Sequence, residues 1–152
     1  MLVLVFEIAG ERWGLPAADV REVVRSVAVA RLPGAPAAVQ GVIDVRGALV
    51  PVLDVRARFG MPPRPVDPSE SFVLAHDGWR TVALRADRVV ELADAGPDAL
   101  ADPKSVVPAS GHVRAVARLP GGLVLIQDLR AFLTVAEHDE LDDALALAEV
   151  AG

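Results

Sequence analysis

Apolar residues in this chain come in runs of four to eight, rich in valine and separated by clusters of Gly, Pro and Asp. This pattern predicts many short β-strands. Leu2 to Ile8 is the first run, followed by a turn at Ala9-Gly10-Glu11-Arg12 and a continuation from Trp13 to Leu15. Between Ala17 and Val27, Val20, Val23 and Val24 have helical spacing, but the valine content favours a strand. A bend near Ala17-Ala18-Asp19 and a strand from about Arg21 to Ser26 are expected. Residues 41–60, GVIDVRGALVPVLDVRARFG, read as a hairpin turning at Arg46-Gly47 and running into a short helix behind Asp54. The proline-rich stretch from Met61 to Ser69 predicts a surface connection. After Val135, Leu141, Ala144, Leu145 and Ala148 fall at i, i+3, i+4 and i+7, the stripe of an amphipathic helix over 137–150. Glu137, Asp139, Glu140, Asp142 and Asp143 crowd its start, where the helix dipole favours them. The stripe is expected to pack on the chain's own β-body, with docking to a partner and a frayed tail as the alternatives.

The second half repeats the first. VIDVRGALVPVLDVRARF (Val42 to Phe59) aligns without gaps on VARLPGGLVLIQDLRAFL (Val116 to Leu133) at an offset of 74. Gly47 meets Gly121, Arg46 meets Pro120, and Asp54 meets Asp128. Upstream, with a small shift, Asp19, Val20 and Glu22 fall near Asp87, Val89 and Glu91. Two related all-β units are therefore expected, each too small to be stable alone and packed as one body. Asp54 and Asp128 both precede apolar segments and are read as helix N-caps.

Composition narrows the function. The 152 residues are 53% hydrophobic and carry a net charge of -6. A net negative chain is poorly suited to nucleic acid. There is no cysteine, which excludes disulfides, thiolate metal sites and thiol nucleophiles. The opening MLVLVFEIAG meets Glu7 too early for a secretion signal. No uncharged apolar run approaches the roughly 18 to 20 residues that span a bilayer. A cytoplasmic protein without direct membrane insertion is expected.

Chemistry is hard to find. No P-loop, GxGxxG, HExxH or GxSxG occurs. His76, His112 and His138 are far apart and lack ligand spacing; all three read as solvated residues near turns or element starts. The expectation is no catalytic residue, no metal site and no cofactor. Arg46 is then the open question. The hairpin turn needs Gly47 for positive φ, but it does not need an arginine.

Here the chain resembles a known family. GVIDVRGALVPVLDVRARFG is similar to the GVxNLRGxxxPVxDL signature of the CheW-like domain family. LVFEIAGERWGLPAADVREVV, TVALRADRVVEL and AVARLPGGLVLIQDLRAFL are similar to its other segments, in order, up to about Val135. The resemblance implies two small five-stranded SH3-like β-barrels packed together, with short helices and the C-terminal amphipathic helix. The CheW-like region would span 1–135, with barrels at approximately 16–66 and 72–135 and strand 2–8 a candidate for sharing between them. It implies a non-catalytic adaptor that couples a CheA-type histidine kinase to the cytoplasmic tips of chemoreceptors in a signalling array. The kinase's regulatory domain would have the same fold. Carried over by motif, the partner-binding residues are Val20, Glu22, Gly41 and Arg46. Arg46 is expected to reach across to Glu22, adding little to folding while orienting charge towards a partner. Ala17, Val20 and Val23 are further candidates for the apolar contact, with a place in the core as the equal alternative. Asp44 replaces the asparagine of the signature and could compete with Glu22 for Arg46. Ala83 replaces a glycine, and Arg85 enters a run that is usually apolar. Two alternatives remain open: a CheW-like module in a pathway other than chemotaxis, or a small ligand-binding or regulatory protein using the inter-barrel cleft. A peptide reader of SH3 type would need an aromatic groove, which two tryptophans, four phenylalanines and no tyrosine hardly supply.

Overall fold

The computed structural model describes residues 1–101 and 112–151. Eleven strands and two α-helices are formed among them. β1 (Leu2–Ile8) and β2 (Glu11–Pro16) make the first hairpin, closed by Ala9 and Gly10, both at positive φ. A 3-10 turn at Ala17–Asp19 leads into β3 (Val20–Arg25), as the valine-rich segment predicts. β4 (Val39–Val45) and β5 (Ala48–Leu53) form the second hairpin and run into α1 (Val55–Arg58). β6 (Ser71–His76), β7 (Thr81–Ala86) and β8 (Arg88–Asp94) follow. The two-residue β9 (Leu100–Ala101), β10 (Val113–Leu119), β11 (Gly122–Gln127) and α2 (Val135–Ala151) complete the order.

The strands form two sheets. One has the order β3-β6-β7-β5-β4 and the other β8-β1-β2-β11-β10-β9. Both curl by the same device, in which the chain leaves one edge strand and pairs at the opposite edge. After β3, Ala30 bridges Val42 of β4 through two backbone bonds of 2.8 and 2.9 Å. After β8, a 3-10 turn at Pro97–Ala99 delivers β9 to β10. The second sheet thus has six strands where five were expected, because its closing segment is regular enough to count as a strand.

Sheet pairing divides the chain differently from the expected barrels at 16–66 and 72–135. The halves exchange their leading hairpins. β1–β2 pairs with β8 and β11, and β6–β7 pairs with β3 and β5. Asp87 alone separates β7 from β8. One residue cannot reverse the chain into a hairpin, so the chain continues into the other sheet. β1 is not shared: its hydrogen bonds stay within the six-stranded sheet, although Phe6 and Ile8 reach the joint core.

Three apolar clusters result. Val3, Val5, Ala117, Val124 and Ile126 fill the six-stranded barrel. Ile43, Val50, Val52, Phe72 and Leu74 fill the five-stranded one. The largest cluster lies between them and includes Trp13, Leu15, Leu53, Leu84, Val116 and Phe132. Burial of this joint face against water is the main force holding the barrels together. α2 adds Leu141 and Ala144, with Leu145 and Ala148 at the margin, so the stripe packs on its own body. Its start is a capping box: Thr134 Oγ1 accepts from Glu137 N–H at 3.1 Å, and Glu137 Oε1 accepts from Thr134 N–H at 2.9 Å.

Two sequence readings need correction. Asp54 does cap α1, accepting from Ala57 N–H at 3.0 Å, but Asp128 caps nothing with its side chain. The segment behind Asp128 closes as a 3-10 turn, and Ala131 N–H is bonded to the Asp128 backbone carbonyl at 3.3 Å. The donor that Ala57 offers Asp54's side chain is therefore already used. His138 is not solvated. It is 3% exposed, on the inner face of α2, and its ring stacks on Trp79 with centroids 4.0 Å apart.

Candidate functional site

The Arg46 turn joins β4 to β5 through a two-residue loop, with Val45 opposite Ala48. Arg46 has φ 50° and Gly47 φ 88°. Positive φ at both central residues is the geometry that matches the right-handed twist of a hairpin. Arginine is an unusual residue for it, since its Cβ crowds the backbone in this region. The turn is held from below. Asp44 Oδ1 accepts from Gly47 N–H at 2.7 Å. Asp44 is thus engaged by the backbone and does not compete with Glu22 for Arg46.

Arg46 leans across to β3. Its Nη2 pairs with Glu22 Oε1, and its Nη1 lies 3.4 Å from Glu22 Oε2, a two-pronged contact. β3 and β4 are opposite edges of the five-stranded sheet, so the curl of the barrel brings them together. Arg46 is 71% exposed and Glu22 36%. Water screens such a pair, and its contribution to folding is small. Donating to the Glu22 carboxylate, and then the charge of that carboxylate, raises the guanidinium pKa above its ordinary value. The guanidinium therefore stays charged across the physiological range.

Beside the pair lies an open depression lined by Val24, Arg25, Val27, Asp44, Val45 and Arg46. Val23 and Val27 are exposed at 42% and 44%. The rim thus offers apolar side chains around an oriented pair of opposite charges.

The other motif positions lie deeper. Val20 starts β3, half-buried against the joint core, and a bulge separates it from Glu22. Gly41 is buried in β4. A Cβ there would overlap the Ala30 carbonyl and approach Val29 Cγ1 to 2.8 Å, so glycine is what lets the closing segment cross. Structure thus joins Glu22 to Arg46 at the surface, while Val20 packs against the joint core and Gly41 lies under the Val29–Ala30 segment. Sequence reading missed the role of Asp44. The signal was a carboxylate three residues before the turn glycine, a spacing that suits a side-chain-to-backbone bond.

The six-stranded barrel carries an echo of the rim. Glu91, at Glu22's position in the repeat, pairs with Arg12 at 3.3 Å. Here the guanidinium comes from β2 and lies against Gly121, the counterpart of Gly47. It is 14% exposed, in contrast to Arg46.

The CheW-like domain family model matches residues 2–137. The chain belongs to the CheW-like domain family. The chemotaxis protein CheW of Klebsiella aerogenes is 22% identical over 142 residues, covering 92% of this chain and 86% of that protein. The probable chemotaxis protein CheW of Rhizobium etli is 32% identical over 92 residues, 59% of this chain and 58% of that one. Among solved structures, the scaffolding protein TtCheW from Thermoanaerobacter tengcongensis superposes with a TM-score of 0.80 at 26% identity. That superposition covers 90% of this chain and 94% of TtCheW. The two-barrel fold of this CheW-like chain is thus the one that TtCheW has. Among the described residues, no helix is long and apolar enough to cross a membrane.

Proposed function

We propose that this chain is a non-catalytic adaptor that couples a CheA-type histidine kinase to the cytoplasmic tips of chemoreceptors. It works in the cytoplasm, held near the membrane by the receptors. The observation that carries the reading is the Glu22–Arg46 pair, presented on an apolar-flanked rim of a CheW-like body. A fixed pair of opposite charges selects complementary surfaces and penalises wrong ones. Neighbouring valines supply the apolar contact on which interface energy mostly rests. Coupling then requires contacts that differ between the kinase's active and inactive arrangements.

A small-molecule role for the inter-barrel cleft is not favoured. The gap lined by Ile8, Gln40, Leu53, Asp54, Val55, Arg56 and Arg85 has a volume of about 10 Å³. A drug-sized ligand needs roughly 300 Å³ or more. Arg85, the charged intruder in an apolar strand, is neutralised in place by Glu70 through bonds of 2.8 and 3.0 Å.

The test is reconstitution. Purified protein mixed with a CheA-type kinase and receptor-bearing membranes is expected to bring the kinase to the membranes and place it under receptor control. A kinase that stays unbound and unregulated in its presence would overturn the assignment.

A further inference from the structure

Arg46 occupies a backbone conformation that the hairpin could have avoided. Its repeat counterpart is Pro120, whose ring fixes φ near -65°. In that second hairpin the positive φ falls on Gly122 instead, at 123°. The same fold therefore closes the same hairpin without a left-handed side chain. At the first turn, asparagine before Gly47 would suit the geometry better than arginine. A strained residue that persists where an easier one exists points to a functional demand.

Something must also hold the turn in register. In a two-residue loop, moving Gly47 swings the Cα–Cβ bond of Arg46, and the guanidinium sits at the end of a long side chain. Asp44 Oδ1 anchors Gly47 N–H at 2.7 Å. Arg46 then reaches Glu22 with both terminal guanidinium nitrogens. Asp44 itself is exposed and borders the depression.

We propose that Asp44 is a positioning residue for docking, holding the left-handed Arg46-Gly47 turn so that the Glu22–Arg46 pair faces the partner. The strain at Arg46 is retained for binding at the expense of stability. This rests on the adaptor reading above, and the experiment separates the two. Binding of a CheA-type kinase regulatory domain is measured by calorimetry for wild type, Asp44→Ala, Asp44→Asn, Arg46→Ala, Arg46→Asn and the double variant Asp44→Ala/Arg46→Ala.

Asp44→Ala is expected to weaken binding about tenfold, as loss of an oriented charge at an interface does. Asp44→Asn keeps an acceptor for Gly47 N–H and is expected to stay within about twofold of wild type. In the Arg46→Ala background, Asp44→Ala is expected to have no further effect, because nothing remains to be positioned. Arg46→Asn is expected to bind as poorly as Arg46→Ala yet to melt about 2–4 °C higher than wild type, as removal of turn strain allows. Wild-type binding by Asp44→Ala, or additive losses in the double variant, would overturn the positioning role while leaving the adaptor reading intact. A lower melting temperature for Arg46→Asn would overturn the claim of strain. Absence of binding by the wild type would overturn the adaptor reading and the positioning role together.

Discussion

At Gly41 the backbone of β4 passes under the Val29–Ala30 segment so closely that a methyl group would overlap the Ala30 carbonyl. Backbone cannot yield there without breaking the Ala30–Val42 bridge that closes the barrel. Gly41→Ala is therefore expected to destabilise by about 2–3 kcal/mol, read as a lower urea midpoint. A midpoint equal to wild type would show that the crossing is loose. This position sits in a recognisable motif, but a motif does not say whether its glycine serves the surface or the backbone. Single residues were legible where the family motif names them, as for Glu22 and Arg46, whose opposite charges then suggested the pair. They were not legible where backbone geometry decides. Asp54 and Asp128 occupy the same place in the repeat, yet only Asp54 caps, because one turn is α and the other 3-10. Nothing in the type of Arg46 announces a left-handed φ.

α2 was readable from its stripe, and its attachment is mostly polar at the start. Burial pushes the Glu137 carboxyl pKa up, but the Thr134 N–H bond and the Arg58 guanidinium outweigh it and hold it below the usual glutamate value. Arg58 Nη2 lies 2.8 and 3.0 Å from the two carboxylate oxygens. With the folded pKa below the unfolded one, this stabilisation is present above the usual glutamate range and is lost as pH falls through the lowered value. Glu137→Gln keeps the capping box but drops the charge. It should cost about 1 kcal/mol near neutral pH, and the gap to wild type should close as the solution is acidified. Parallel urea titrations at neutral and acid pH check this, and a gap independent of pH would contradict it. Further along, His138 lies three residues before Leu141, on the same stripe, which is the clue that it is buried. Its Nε2 lies 4.0 Å from Asp77 Oδ2, and Asp77 Oδ1 accepts from Trp79 and Arg80 N–H at 2.8 and 2.9 Å. His138→Ala removes the stack on Trp79 and should lower stability by about 2 kcal/mol in thermal denaturation. An unchanged melting temperature would mean that the stack contributes nothing.

The molecule as a whole is a duplicated unit with its leading hairpins exchanged. Duplication was visible in the sequence at an offset of 74. The exchange was not, because repeat symmetry makes each hairpin chemically acceptable to either barrel. Connection length decides between them, through Asp87 alone at one crossing and Ala17–Asp19 at the other. Neither barrel is complete within one half of the chain. Separate fragments 1–66 and 72–152 are therefore expected to be unfolded alone and to gain β structure when mixed, by far-UV circular dichroism. A cooperative melt from either fragment alone would refute the exchange. The intact chain should unfold in a single step with coincident dichroism and fluorescence transitions.

The most direct measurement is the affinity of a CheA-type kinase regulatory domain for wild type, Arg46→Glu, and the swap Arg46→Glu/Glu22→Arg. Reversing Arg46 should weaken binding at least about tenfold with little change in melting temperature, since the pair is exposed. The swap should restore the internal pair without restoring binding. Full binding by Arg46→Glu would contradict the claim that this rim is where the protein meets its kinase.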